Sequence, residues 1–214
     1  MLIDFHCHFP YKYGIVCTDS PETPPSRALV PCIGLLPDKW SPQRQETLIQ
    51  KLRDNPDLQI GEVGLDRRFQ DSMSMDDQIR SLKQILKAGI SMDRSISLHC
   101  VRATGPMLDL LSSLRFRPDS ILWHGFTGSP ETARQLYRMK VIISVGPRAK
   151  DSLKTLLEAN PHLVLETDYE GTDAEEHRGL LESRYGKMAL ETDMTVSEMK
   201  AHSQYMLDLF SSTH

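Results

Sequence analysis

Apolar residues along the chain gather in short runs rich in branched side chains, and between most of these runs they recur at helical spacing instead. Leu2–Cys7, Gly14–Thr18 and Leu29–Leu36 read as three successive strands. Pro21, Pro24, Pro25 and Pro31 leave no room for a full helix between the last two, because proline lacks the amide a helix interior needs. Ser41 and Pro42 then form a helix start, with Leu48, Ile49 and Leu52 on the apolar face and an end near Asn55-Pro56. From there the two patterns alternate. Strand Leu58–Leu65 precedes helix Met75–Ala88, which Gly89 stops, and strand Ser95–Cys100 precedes helix Met107–Leu114. Strand Ser120–His124 leads to a helix from Ser129 to about Met139, strand Val141–Val145 to helix Ala149–Glu158, and strand Leu163–Thr167 to the last segment. That segment is helical from about Glu175, with TVSE at Thr195–Glu198 as a capping box.

Strands that alternate with helices predict a parallel sheet. About eight strands predict an α/β fold of the TIM-type (β/α)8 barrel class, near its lower size limit of roughly 200 residues. A single barrel domain is expected across residues 1–214. Its outer helices are expected to be missing in the N-terminal third, where strands follow one another directly. Apolar strand surface left bare there would suit a homodimer that covers it.

The first strand, within MLIDFHCHFP, raises a question of chemistry. Side chains two apart on a strand point the same way, so Asp4, His6 and His8 are expected on one face, opposite Ile3, Phe5, Cys7 and Phe9. Polar residues recur at the ends of later strands: Glu62 in IGEVGLD, His99 in SLHC, His124 in LWHGF and Asp168 in LETD. In a parallel barrel those ends converge on one rim, where active sites lie. Each residue alone has a bland explanation, but histidines and carboxylates converging from five strands are metal-site chemistry, suited to zinc, manganese or magnesium. Glu62 is the candidate to bridge two ions about 3.5–4 Å apart, a pair able to activate a water and clamp a phosphoryl or carbonyl group.

Composition narrows the partners. The 214-residue chain is 39% hydrophobic and 25% charged, with a formal net charge of −4. That balance argues against a broad basic face that coats DNA and leaves room for a local basic groove. No apolar run approaches the roughly 18 residues of a membrane span, so no membrane partner is expected. The N-terminus lacks a basic region followed by an apolar core, so no secretory signal is expected. The four cysteines, Cys7, Cys17, Cys32 and Cys100, fit no CxxC site and read as reduced, mostly buried thiols of a cytoplasmic protein.

The motifs DFHCH, GEVGLD, LHCVRA, WHGFTGS and LETD, in that order from Asp4 to about Tyr169, resemble the TatD-type metal-dependent deoxyribonucleases of the amidohydrolase superfamily. The resemblance implies one divalent ion held by His6, His8, Glu62 and Asp168, and a second held by Glu62, His99 and His124, the ions being zinc, magnesium or manganese. Glu62 would bridge, and Asp168 would also orient or deprotonate the attacking water. The implied reaction is phosphodiester hydrolysis in DNA with exonucleolytic release of nucleotides. The sequence departs from the family pattern on the substrate side. Leu36 in GLLPDKW stands where the family has a histidine, Arg102 is displaced by one residue in HCVR, Arg67 and Arg68 follow GLD in place of tyrosine, and Tyr169-Glu170-Gly171 follows ETD.

Arg67, Arg68 and Arg102 are candidates to hold an anionic substrate, since the guanidinium fork matches phosphate. Phe126 and Thr127 are expected to shape the pocket floor, and Trp123 to point outward into the core. Asp4 is expected to support a ligand histidine from behind. Cys7 and Cys100 alternate away from their neighbouring histidines, while His162, His177, His202 and His214 read as surface residues. Two other functions stay open. One keeps the metals and takes a small phosphate ester, amide or lactone; the other is an inactive barrel serving as a binding or scaffold protein.

Overall fold

The computed structural model describes residues 1–211. Eight parallel strands stand in chain order: β1 Asp4–Cys7, β2 Gly14–Thr18, β3 Val30–Leu35, β4 Gln59–Asp66, β5 Ile96–Val101, β6 Ile121–Trp123, β7 Ile142–Val145 and β8 Leu163–Leu165. The α-helices are α1 Pro42–Asp54, α2 Met75–Ser91, α3 Thr104–Ser112, α4 Pro130–Arg138, α5 Leu153–Ala159, α6 Ala174–Thr192 and α7 Val196–Ser211, and short 3-10 turns lie at Pro37–Lys39 and Arg67–Phe69. The result is a nearly closed TIM-type barrel. Beyond the end of β8, the amide of Asp168 donates to the carbonyl of His6 at 3.0 Å and that of His8 to Tyr169 at 2.9 Å, which joins β8 to β1.

Local chemistry sets the element ends. The hydroxyls of Ser41, Ser74 and Ser129 accept an amide from the first turn of α1, α2 and α4. The capping box forms as expected: Glu198 N donates to Thr195 Oγ1 at 3.2 Å and Thr195 N to Glu198 Oε2 at 2.7 Å. Helix α2 runs past Gly89 to Ser91, because that glycine is a packing position and not a stop. A Cβ there would collide with Ile60 of β4, so the bare backbone lets the helix lie close on the sheet. Helix α5 starts at Leu153, later than the spacing predicts, since Gly146-Pro147 opens an irregular loop before it.

Two apolar layers follow from strand alternation. Ile33, Leu35, Val63, Leu65, Leu98, Trp123, Ile143 and Leu165 pack outward against Leu48, Leu82, Leu86, Leu136 and Leu156 of the helices. Phe5, Ile15, Cys17, Cys32, Leu122, Ile142 and Val164 form the second cluster, which Met206, Leu207 and Phe210 of α7 join. Arg117 fastens the end of α7 by donating to the carbonyls of Leu209 at 2.8 Å and Phe210 at 3.2 Å.

The first outer helix does follow only after β3. Segment 19–29 takes the place of a helix there: Glu22 pairs with Arg44 of α1 at 3.0 Å, and Lys51 donates to the Glu22 carbonyl at 2.9 Å. Hydrogen bonds from Arg44 and Ser20 hold the Glu22 carboxyl at about 2. Apart from a partly exposed Thr18, the residues of β1 and β2 are buried within this one chain, so these two strands themselves present no bare apolar face.

Two strands break their alternation where it matters most. Between Asp4 and Cys7 three steps of β1 oppose two steps of β2, from Gly14 to Val16. Between Ile60 and Val63 three steps of β4 oppose two steps of β5, from Ile96 to Leu98. Each is a bulge that re-aims a side chain, and they contain His6 and Glu62. Gly34 and Gly64 allow the adjoining backbones to approach, since a Cβ on either would overlap the main chain of Glu62 or His99.

Candidate metal centre

His6, His8, Glu62, His99, His124 and Asp168 come together at the C-terminal rim. His6 Nε2 lies 3.9 Å from Glu62 Oε2 and 3.8 Å from Asp168 Oδ1. His8 Nε2 lies 3.5 Å from the same Glu62 oxygen and 3.8 Å from the same Asp168 oxygen. Ligands about 2.0–2.2 Å from a shared tetrahedral ion stand about 3.3–3.6 Å apart; the His8–Glu62 pair meets that spacing, and the other three pairs are a few tenths of an ångström wider. His6 Nε2 is buried with no hydrogen-bond partner, while its Nδ1 sits 3.0 Å from Ser97 Oγ. Burial and the neighbouring His124 hold the His6 imidazole well below its usual pKa, so the ring is neutral and keeps a lone pair.

The other carboxylate oxygen of Glu62 faces the second group. Oε1 contacts His99 Nδ1 and lies 2.5 Å from His124 Nε2, and the two ring nitrogens are 3.4 Å apart. Burial alone would raise the Glu62 carboxyl, but His124 and His99 outweigh it and hold it well below the carboxylate range. Burial alone would lower His99 and His124; their carboxylate partners outweigh it, and both are raised. The rings of His6 and His124 stack at 3.8 Å, so the two groups adjoin. One carboxylate thus divides its oxygens between two sets of imidazoles, a donor arrangement that fits divalent cations.

Side chains behind these residues orient them. His99 Nε2 is 2.9 Å from Asp66 Oδ2, and Arg68 grips the same carboxylate through Nε at 3.0 Å to both oxygens. Burial raises the Asp66 carboxyl, but His99 and Arg68 prevail and keep it well below its ordinary value. Glu166 lies buried with Oε1 3.9 Å from His124 Nδ1 and Oε2 taking the Ser144 hydroxyl, and burial raises its pKa. Arg148 pairs with Asp168 Oδ2, leaving Oδ1 toward His6 and His8. Sequence reasoning missed Ser97, Asp66, Glu166 and Arg148. Ser97 stands two residues before His99 and Glu166 two before Asp168, so alternation could have found them; Arg148 follows β7 in a loop and carries no such signal.

A cavity of about 280 Å³ opens beside His99 and His124, walled by Arg68, Arg102, Thr127 and Arg148. Arg102 follows the end of β5 with a left-handed backbone (φ 53°), so its one-residue displacement does not flip it away from the rim. Arg67 is turned elsewhere: its Nε donates to the Arg102 carbonyl at 2.9 Å and ties two strand exits together. Phe126 does not line this cavity. Gly125 turns the chain at φ 58°, and Phe126, 1% exposed, packs edge-on to Trp123 in the outer core.

Asp4 reaches His6 through the main chain and not through the ring: its Oδ1 accepts the His6 amide at 3.2 Å, and the carboxylate also bonds Thr167 and His177. His177 is buried at 1% exposure, not a surface residue. His162 and His202 are partly buried, bonded to Asp119 at 2.6 Å and to the Leu163 carbonyl at 2.9 Å, while His214 lies outside the described residues.

The sequence model of the family described as TatD related DNase matches residues 22–207. The chain belongs to the TatD family. It is therefore a relative of metal-dependent hydrolases, and its buried His, Glu and Asp clusters suit that chemistry. Among solved structures, YJJV, a TatD homolog from Escherichia coli, superposes with a TM-score of 0.79 at 22% identity, over 98% of this chain and 97% of that one. An uncharacterized amidohydrolase from Saccharomyces cerevisiae gives a TM-score of 0.66 at 14% identity, over 92% and 88%. Both show the barrel fold. The human protein described as the 3'-5' RNA nuclease TATDN2 is 25% identical over 137 residues, 60% of this chain and 18% of that protein. The chain thus spans under a fifth of that curated relative. No helix among the described residues is long and apolar enough to cross a membrane.

Proposed function

We propose that this chain is a single-domain, cytoplasmic TatD-family hydrolase whose centre holds two divalent cations and removes nucleotides from an end of a DNA strand. The observation that carries this reading is Glu62, whose two oxygens face separate ligand groups: His6, His8 and Asp168 on one side, His99 and His124 on the other. Cations held there would supply Lewis acidity to a phosphoryl oxygen and make water a stronger nucleophile near neutral pH. Asp168 would orient the attacking water and take its proton, with Arg148 holding its Oδ2. Arg102, Arg68 and Arg148 wall the adjoining cavity and hold the charge of the phosphate there. The water oxygen bonds to phosphorus, the ester oxygen leaves, and a proton completes the released hydroxyl.

A second reading, hydrolysis of a small phosphate ester, is favoured by the cavity itself, whose roughly 280 Å³ has the volume of a small ligand site. The two separate in one assay. End-labelled single-stranded DNA and RNA oligomers and a chromogenic phosphate ester are each incubated with Mn²⁺ or Mg²⁺, with chelator, and with Glu62→Gln. Metal-dependent release of nucleotides that Glu62→Gln abolishes is expected. Turnover of the small ester alone would replace the nuclease reading with the second, and no turnover by folded, metal-loaded protein would sink both.

A further inference from the structure

The strands that carry His6, His8 and Asp168 meet at the one place where the sheet has no strand ladder. The ladder runs from β1 to β8, and the main-chain bonds that join β8 to β1 come past the end of β8, from the amide of Asp168 to His6 and from the amide of His8 to Tyr169. One carboxylate closes the gap behind them. Asp4 Oδ1 accepts the amide of His6 at 3.2 Å and that of Thr167 at 3.0 Å. Asp4 Oδ2 accepts the Thr167 hydroxyl at 2.6 Å and lies 2.8 Å from His177 Nε2. Asp4 is fully buried, so each of these donors compensates a carboxylate removed from water. Three of the four contacts belong to β1 or the end of β8, and only His177 comes from elsewhere, the first turns of α6.

His177 is itself fixed. Its ring sits among Phe9, Tyr11 and Tyr169, with centroids at 5.1, 4.7 and 5.5 Å. The Tyr169 hydroxyl donates to Glu176 at 2.7 Å and accepts the amide of Asp173, the residue that caps α6. The start of α6 is thereby tied to the exit of β8, one residue beyond Asp168. Asp4, Cys7 and His177 could by type bind an ion, but Asp4 is already saturated and Cys7 Sγ turns to the Phe9 carbonyl, so this is a clamp and not a metal site.

We propose that His177 is a positioning residue: through Asp4 it sets the β8–β1 seam, and so the spacing of His6 and His8 against Asp168. This rests on the reading of those three as ligands of one cation. Residues behind a metal's ligands typically alter its affinity about 10- to 100-fold when removed. His177→Ala leaves Asp4 Oδ2 with the Thr167 hydroxyl alone, whereas His177→Gln keeps an N–H donor of nearly the same reach.

The experiment combines two readouts on metal-stripped protein. Hydrogen exchange over residues 4–9 and 163–170 reports the seam without any metal. Titration with Co²⁺ or Mn²⁺ against a competing chelator reports each bound equivalent. In His177→Ala, seam amides should exchange about tenfold faster. One equivalent should weaken about 10- to 100-fold while the other holds, and His177→Gln should restore both readouts. Thr167→Val should act in the same direction and stands in if His177→Ala does not fold. Unchanged affinities in folded His177→Ala overturn the proposal, whether or not the seam loosens, and so does equal weakening of both equivalents. Wild-type protein that binds no cation overturns the metal reading first and this inference with it; an intact metal reading with an indifferent His177 overturns only the inference.

Discussion

Replacing Ser97 with alanine tests the candidate centre at a point that touches no substrate. Ser97 is fully buried, and its hydroxyl stands 3.0 Å from His6 Nδ1. A neutral imidazole carries its proton on one nitrogen only. With Nδ1–H donating to Ser97, the lone pair is directed to Nε2, the atom that faces Glu62 and Asp168 without a hydrogen-bond partner of its own. Ser97→Ala leaves the buried Nδ1 unsatisfied as well, at a cost of ~1–3 kcal/mol. At ~2–4 °C per kcal/mol for a domain of this size, the melting temperature of metal-free protein should fall by about 2–12 °C. The tautomer is then no longer selected, and one cation equivalent should weaken about 10- to 100-fold, or ~1.4–2.7 kcal/mol. The equivalent at His99 and His124 should be unaffected, since neither touches Ser97. Thermal melts with chelator and a cation titration check both numbers. A lower melting temperature with both affinities intact would mean that the hydroxyl only satisfies a buried ring, and no change in either would refute the argument outright.

Glycine substitutions should split by what surrounds them. Gly64→Ala drives a Cβ into the His99 main chain and should cost about 3 kcal/mol or more and disturb cation binding, whereas Gly186→Ala on α6, with open space around it, should stabilise by ~0.5–1 kcal/mol in the same denaturant titrations. His202 supplies a pH test. Burial lowers its pKa, so its contribution is complete above the free imidazole value near 6.5 and is lost as pH falls below it. Melting temperature should therefore fall more between pH 7.5 and 5.5 in wild type than in His202→Gln, which keeps a donor for the Leu163 carbonyl; equal falls would contradict the sign.

The amino-acid pattern by itself determined the barrel and the composition of its rim. Period-two and period-3.6 apolar spacing are consequences of local backbone geometry, so alternating strands and helices, the lack of an outer helix before β3 and the strand-end residues His6, His8, Glu62, His99, His124 and Asp168 were all legible. What local geometry cannot encode is a bulge, because an extra residue is defined only against the partner strand. The bulge in β4 turned Glu62 between two sets of imidazoles, and across the bulge in β1 Asp4 reaches the His6 amide and not the ring. Long-range partners were equally invisible: His177 reaches Asp4 across most of the chain, Arg148 meets Asp168 from a loop, and Phe126 leaves the rim through a left-handed glycine. For His177 and Arg148 the deciding contact joins separate elements, and only closing the barrel brings them to bonding distance; for Phe126 the left-handed turn at Gly125 decides.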